Sequence, residues 1–280
     1  MTELGANAVN ISRSGENNYG NLDRHADAAV IVNTTPVGMF PNTGAAPLDI
    51  RRFPKLEGVL DAVYNPARTQ LLLDAEALGL VAVNGLLMLV AQAKESAEWF
   101  TGTPIDDAKI HEIHRILRCQ MENIILIGMP GCGKSTVGAL LAARTGKKFV
   151  DADEFLTEKF GRPIPEIFAS NGEEDFRRME AEVLEELGKQ SGLIIATGGG
   201  CVTREYNYPQ LHQNGTIFCL IRDLDKLPTD GRPLSQANKL ADMYRVRKPL
   251  YQRFADHMID NNGATSDAAE QILKIWEGNQ

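Results

Sequence analysis

Apolar residues along this chain fall into two alternating patterns. Short dense runs rich in Val and Ile alternate with longer stretches in which apolar positions recur every third or fourth residue. Dense runs bounded by turn residues predict buried strands, and the longer period predicts helices. In the first part, residues 7–12 (NAVNIS), 28–35 (AAVIVNTT), 58–66 (GVLDAVYNP) and 80–85 (LVAVNG) read as strands. Residues 66–79 and 86–102 read as helices; the first has a proline placed for its opening turn and a glycine for its C-cap. Such alternation predicts a parallel sheet with helical crossovers.

The rhythm breaks at residues 101–120, a polar stretch with a Thr-Pro step and helix-forming residues around Ile110, Ile113, Ile116 and Leu117. His111 and His114 share one face of this connector, and nothing nearby completes a metal site. The pattern restarts at Met121. Strands are predicted at 123–128, 147–153, 192–200, 216–221 and 258–262. Helices are predicted at 134–146, 164–170, 173–188, 239–257 and 266–278. Two α/β segments are therefore expected in series, residues 1–120 and 121–280, with no internal repeat.

Composition narrows the classes little but usefully. With 280 residues, 43% hydrophobic and 24% charged, the chain has ample material for buried cores. A net charge of −8 argues against nucleic acid as the main partner, since phosphate-backbone binding needs a basic surface. No apolar run reaches the ~18 residues that a membrane span needs, and the N-terminus lacks a basic-then-apolar leader. The four cysteines, Cys119, Cys132, Cys201 and Cys219, form no C-x-x-C pair. They read as reduced thiols, and a cytoplasmic location is expected.

The chemistry concentrates after Met121. Residues 128–136, GMPGCGKST, fit G-x-x-x-x-G-K-[ST] between an apolar strand and an amphipathic helix. Glycines let the backbone N–H groups of Gly131, Cys132 and Gly133 curl toward phosphate oxygens, and the helix start at Lys134, Ser135 and Thr136 adds its positive dipole end. Lys134 is placed to reach the terminal phosphates, and the Ser135 hydroxyl to ligate Mg²⁺. Asp151 and Asp153 stand two apart at a strand end, so one can hold Mg²⁺ through water while the other accepts a proton from an attacking hydroxyl. Arg177 and Glu180 lie three apart on a helix; they read either as a surface ion pair or as a carboxylate clamp with its brace. Gly198, Gly199 and Gly200 end a strand and permit close approach to a ligand.

Taken in order, the phosphate loop, DAD, GEEDFRRME, ATGGG, GRPLS and RKPLY resemble the shikimate kinases over essentially all of 121–280. The resemblance implies a P-loop NTPase-type parallel sheet flanked by helices, with ATP as co-substrate. It also implies transfer of the γ-phosphoryl group to the shikimate 3-hydroxyl, in the biosynthesis of chorismate and aromatic amino acids. By that likeness Asp153 holds and activates the hydroxyl, Asp151 orders the Mg²⁺ waters, and Arg177 and Arg247 clamp the carboxylate. Arg232 would close with a lid over the phosphates. The lid stretch RDLDKLPTDGRPLSQ is shorter than usual and lacks an arginine that many relatives carry before RPL; Arg222 is a candidate substitute.

The first segment resembles the C-terminal part of shikimate dehydrogenase, through SRSG, NTTPVGM, DAVYNPARTQLL and NGLLMLVAQA. This implies a partial Rossmann-like segment. Ser12, Arg13 and Ser14 would face the 2′-phosphate of NADP, and Asn33, Thr34, Gly85 and Met88 would lie near the cofactor. Tyr64 and Gln92 would lie near substrate or nicotinamide. The glycine-rich first turn and the catalytic lysine and aspartate of that family are absent, so NADP is implied only if the dehydrogenase portion is completed. The expectation is a kinase behind an N-terminally truncated, inactive remnant. The alternatives are a bifunctional enzyme missing its start, a P-loop kinase for another small alcohol such as gluconate or a nucleoside monophosphate, and a scaffold. An incomplete N-terminal sheet also makes self-association an expectation.

Overall fold

The computed structural model describes residues 5–227 and 237–278. The chain packs as two compact units, Met1–Leu89 and Val90–Gln280.

In the first unit, strands β1 (Val30–Asn33), β2 (Gly58–Asp61) and β3 (Val81–Val83) form a parallel sheet in the order β1-β2-β3. Helix α1 (Gln70–Ala77) crosses between β2 and β3, with Thr69 as N-cap: its hydroxyl accepts from Leu72 N at 3.4 Å. Leu71, Leu72 and Ala75 of α1 join Ile50, Phe53 and Val59 in a small core. Pairing alternates side chains across the sheet. Ile31 and Ala82 therefore pack on this core, while Val30, Val32, Val81 and Val83 stay exposed.

The strand expected at 7–12 is not formed. Those residues lie along the surface with Val9 45% exposed, and the isolated bridge there joins Ser12 to Asn18. An apolar run becomes a strand only where a neighbour pairs with it, and β1 pairs with β2 alone. Helix α1 also starts later than the sequence suggests, at Gln70, where the extended Thr69 serves as N-cap.

Helix α2 (Leu86–Thr101) contains the division between the units. Helix α3 (Ala108–Met121), expected to be a connector, packs within the second unit. Arg118 Nη2 donates to the Trp276 carbonyl at 3.2 Å, Lys147 Nζ donates to Gln120 O at 3.0 Å, and Gly192 N donates to Met121 O at 2.7 Å. The compact units consequently divide ahead of the change in sequence pattern near residue 120.

The second unit holds a five-stranded parallel sheet, order β5-β6-β4-β7-β8. Its strands are β4 (Asn123–Gly128), β5 (Lys148–Asp151), β6 (Leu193–Ala196), β7 (Gly215–Ile221) and β8 (His257–Asp260). Every residue of β4 is buried, as a central strand covered on both faces requires. Around it stand α4 (Lys134–Thr145), α5 (Ala152–Phe160), α6 (Ile164–Lys189), α7 (Asn207–His212), α8 (Ala237–Phe254) and α9 (Thr265–Gly278). The two helices expected at 164–170 and 173–188 run on as α6, jointed at Gly172, whose φ of 80° and ψ of 177° interrupt the helical backbone. Helix α4 lies close on the sheet because Gly138 has no side chain: a Cβ there would sit 2.7 Å from Phe149 Cδ2. Among the described residues no helix is long and apolar enough to cross a membrane.

Candidate active site

The C-terminal ends of β4, β5 and β6 open onto one cavity of ≈ 650 Å³. Its floor is the glycine loop between β4 and α4. Gly128, Gly131 and Gly133 take φ of 140°, 81° and 100°, conformations that side chains rarely adopt. Gly133 caps α4 with no side-chain acceptor, so the first N–H groups of the helix are left for an anion. Lys134 Nζ rests on the carbonyls of Gly128 and Met129, at 3.1 and 3.2 Å. Cys132 is fully buried, and its N–H donates to Met129 O at 3.1 Å, so it shapes the loop from beneath. Behind the loop, Asn261 Nδ2 donates to Cys132 O at 2.7 Å. Arg222 Nη1 lies 4.0 Å from where a Gly133 Cβ would stand, and its buried Nε has no acceptor among the described residues.

The expected metal donors meet. Ser135 Oγ donates to Asp151 Oδ2 at 2.7 Å, while Asp151 Oδ1 accepts from Asp153 N at 3.0 Å and so caps α5. Two oxygen donors at the start of α4 suit a hard cation that retains most of its water. The cap also fixes Asp153 in the first turn of α5, at the cavity wall.

The opposite side carries a buried ion pair. Arg177 and Glu180 of α6 are 6% and 3% exposed, and Arg177 Nη1 donates to Glu180 Oε2 at 2.7 Å. Arg177 Nη2 reaches Glu173 Oε1 at 3.3 Å, and its buried Nε is unpaired among the described residues. Burial acts to lower the Arg177 pKa, but Glu180 and Glu173 outweigh it and the value rises. Burial raises the Glu180 pKa, Asp153 adds to that, and Arg177 opposes it. Gly198, Gly199 and Gly200 thread among these groups. A Cβ at Gly198 would lie 2.7 Å from Glu180 Oε1 and 2.8 Å from Asp153 Oδ1; one at Gly199 would meet Pro130 Cδ at 2.7 Å; one at Gly200 would collide with the Arg177 guanidinium. Arg247 of α8 donates through Nη1 to Gly199 O at 3.1 Å and lines the same cavity.

Several contributors were not singled out beforehand. Tyr251 donates its hydroxyl to Gly199 O at 2.5 Å, and burial pushes its pKa upward. Its motif, RKPLY, was visible, but the partner across the fold was not. Ile164, Phe168 and Phe176 give the cavity an apolar wall, the two rings 4.5 Å apart. Arg232 and the rest of GRPLS lie outside the described residues. Cys201 and Cys219 are buried, and burial raises both thiols to about 12, which makes them unreactive.

The N-terminal residues behave differently. Ser12, Arg13 and Ser14 sit on an exposed loop, where Ser12 Oγ accepts from Gly15 N at 2.9 Å. Asn33 is buried at the end of β1 and donates to Asp61 Oδ1 at 2.9 Å. Thr34 and Gln92 are exposed, as are Tyr64 and Met88 at 38% and 51%. Gly85 lets the start of α2 touch the Ala62 carbonyl, where a Cβ would collide.

A phosphate loop, a paired Ser135/Asp151 and a buried arginine around one cavity of a parallel α/β fold mark a P-loop kinase. The shikimate kinase family model matches residues 130–277. A shikimate kinase of Thermodesulfovibrio yellowstonii is 39% identical over 56% of this chain and 96% of its own, and one of Synechococcus sp. is 41% identical over 58% and 87%. The solved shikimate kinase of Acinetobacter baumannii in complex with shikimate covers 59% of this chain and 98% of its own at 36% identity, with a TM-score of 0.55. This chain belongs to the shikimate kinase family. A chorismate mutase/shikimate 5-dehydrogenase fusion protein of Clostridium acetobutylicum covers 38% of this chain and 43% of its own at 35% identity, with a TM-score of 0.36.

Proposed function

We propose that the cavity binds ATP along the 131–136 loop and shikimate between Asp153, Arg177, the 198–200 glycines and Arg247. One observation carries this reading: a buried guanidinium braced by Glu180 faces the same cavity as the phosphate loop and Asp153. Arg177 and Arg247 grip the acceptor carboxylate, which turns a ring hydroxyl toward Asp153. The hydroxyl oxygen bonds to the γ-phosphorus as the bond from phosphorus to the leaving ADP oxygen breaks, and the hydroxyl proton passes to Asp153. Lys134 and the α4 amides offset the charge that develops on the phosphoryl oxygens. Ser135, and Asp151 through water, would hold Mg²⁺, which supplies further charge neutralisation when bound. Arg232, outside the described residues, would share that role.

A coupled ADP-release assay tests this. Shikimate should drive ADP release, gluconate and nucleoside monophosphates should not, and Asp153→Asn should abolish it. Equal turnover of gluconate would transfer the assignment to another small-molecule kinase.

The segment 1–120 is, on this reading, a dehydrogenase-like segment that does not oxidise shikimate by itself, and the kinase module is 121–280. Ser12–Ser14, Asn33, Thr34, Tyr64, Gly85, Met88 and Gln92 would then be vestigial contacts. Shikimate-dependent NADPH formation by this chain alone would overturn that. The exposed valines of β1 and β3 support self-association through the first unit, and concentration-independent monomeric sedimentation would refute it. The acidic charge balance supports an enzyme without nucleic acid as its main partner, and the reduced cysteines support a cytoplasmic one.

A further inference from the structure

A second cavity, ≈ 680 Å³, lies at the other end of the kinase sheet, where β4, β5 and β6 begin. Helix α3 supplies Arg115, the end of α4 supplies Arg144, and the start of β5 supplies Lys147 and Lys148. Against these cations the lining holds, among the described residues, a single carboxylate, on Glu277. Three helix C-termini converge nearby, and their carbonyls would account for some positive charge. Lys147 answers this at α3, donating to Gln120 O at 3.0 Å and to Glu122 O at 2.8 Å, and Arg118 answers it at α9, donating to Trp276 O at 3.2 Å. Arg144 and Lys148 are exposed, and neither forms an ion pair among the described residues.

The remaining wall is apolar. Leu273 and Trp276 of α9 line it, with Ile116 of α3. Trp276 is 6% exposed, and its indole N–H is buried with no acceptor among the described residues. A buried unmatched donor costs stability unless an acceptor arrives. The family match begins at residue 130, so Arg115 and Ile116 lie ahead of it, and the cavity depends on α3 packing against the kinase.

We propose that this cavity is a binding site for a small aromatic carboxylate. The carboxylate is held by Arg144 and Lys148, and the ring rests on Leu273 and Ile116, beside Trp276, whose own ring lies under Lys147 at 5.2 Å. Inorganic anions are too small to use both halves of the site.

The chain has two tryptophans, and Trp99 is 88% exposed, so Trp99→Phe leaves Trp276 as the single indole reporter. Titration of ¹⁵N-labelled full-length W99F with phenylacetate should shift the Trp276 indole resonance saturably. In R144A/K148A on the same background, the affinity should fall about tenfold or more. The unchanged remainder of the amide spectrum serves as the folding control, since both substituted side chains are exposed. Absence of a saturable shift, or the same affinity in the double variant, overturns the proposal. Inorganic phosphate that shifts the indole as effectively as phenylacetate also overturns it, by reducing the site to a bare anion pocket.

Discussion

Arg177 Nη1 and Glu180 Oε2 form a 2.7 Å ion pair in which both residues are almost wholly removed from water. The other carboxylate oxygen of Glu180 is buried with no donor among the described residues. A buried pair of this kind holds a guanidinium in place at an electrostatic cost, which suits a clamp better than a simple stabiliser.

Removing one partner should therefore be expensive: Glu180→Ala is expected to cost about 3–5 kcal/mol. Glu180→Gln keeps the shape and isolates the charge. Because the folded-state pKa of Glu180 is raised, chiefly by burial, its contribution to stability is complete below the ordinary value of 4.5 and is lost as pH rises through the folded value. Urea melts at a series of pH values should show wild type losing stability relative to E180Q across that window. A flat difference would mean that Glu180 ionises as readily folded as unfolded.

Gly200 tests the clamp from the other side. Its φ of −97° suits any residue, so Gly200→Ala strains no backbone but drives a methyl group into the Arg177 guanidinium. The flexible end of Arg177 must then move off its carboxylate position. The KM for shikimate should rise by about 10–100-fold with a smaller change in kcat, the mark of lost binding that substrate and transition state share. A fall in kcat at unchanged KM would count against the clamp.

Ser135 and Asp151 meet at 2.7 Å where the metal donors are expected. Ser135→Ala removes one donor and frees Asp151 Oδ2. The Mg²⁺ concentration that half-saturates ADP release should rise by about tenfold, with the fold intact. An unchanged Mg²⁺ titration would remove Ser135 from the metal site.

How much of this was legible beforehand depends on the range over which each feature is determined. The phosphate loop and its flanking strand and helix are local: glycines at positive φ, a lysine and a hydroxyl within nine residues. The strand expected at 7–12 failed because strands are made by neighbours, and none pairs there. Tyr251 could be quoted within its motif, yet its bond to Gly199 joins residues 52 apart in sequence. The packing of α3 in the second unit is non-local too, since it rests on Lys147 donating to Gln120 O and on Trp276 O accepting from Arg118.

Asp61, fully buried at the end of β2, accepts from Asn33 Nδ2, Val63 N and Thr69 Oγ1 at 2.9, 3.0 and 2.7 Å. Asp61→Ala would leave these donors unmatched at a cost of about 3 kcal/mol or more. Hydrogen exchange should accelerate in β1, β2 and α1. Exchange in β4 and α4, and shikimate-dependent ADP release, should stay as in wild type if the first unit is dispensable for catalysis. Loss of kinase activity in this variant would show that the two units act as one.

Lys147 offers the complementary pH test. Burial lowers its pKa from 10.5 to about 8, with Glu122 opposing the shift, while its ammonium still donates to two helix-terminal carbonyls. A depressed folded-state pKa means that the stability this group contributes is present above the unfolded value and is lost as pH falls through about 8. Lys147→Met deletes the titration along with the two hydrogen bonds, and only the first depends on pH. The stability of wild type relative to K147M should thus rise between pH 7 and pH 10, read from urea melts at each pH. A difference that is constant over that range would mean that Lys147 stays charged with its ordinary pKa, and that its carbonyl contacts outweigh its burial.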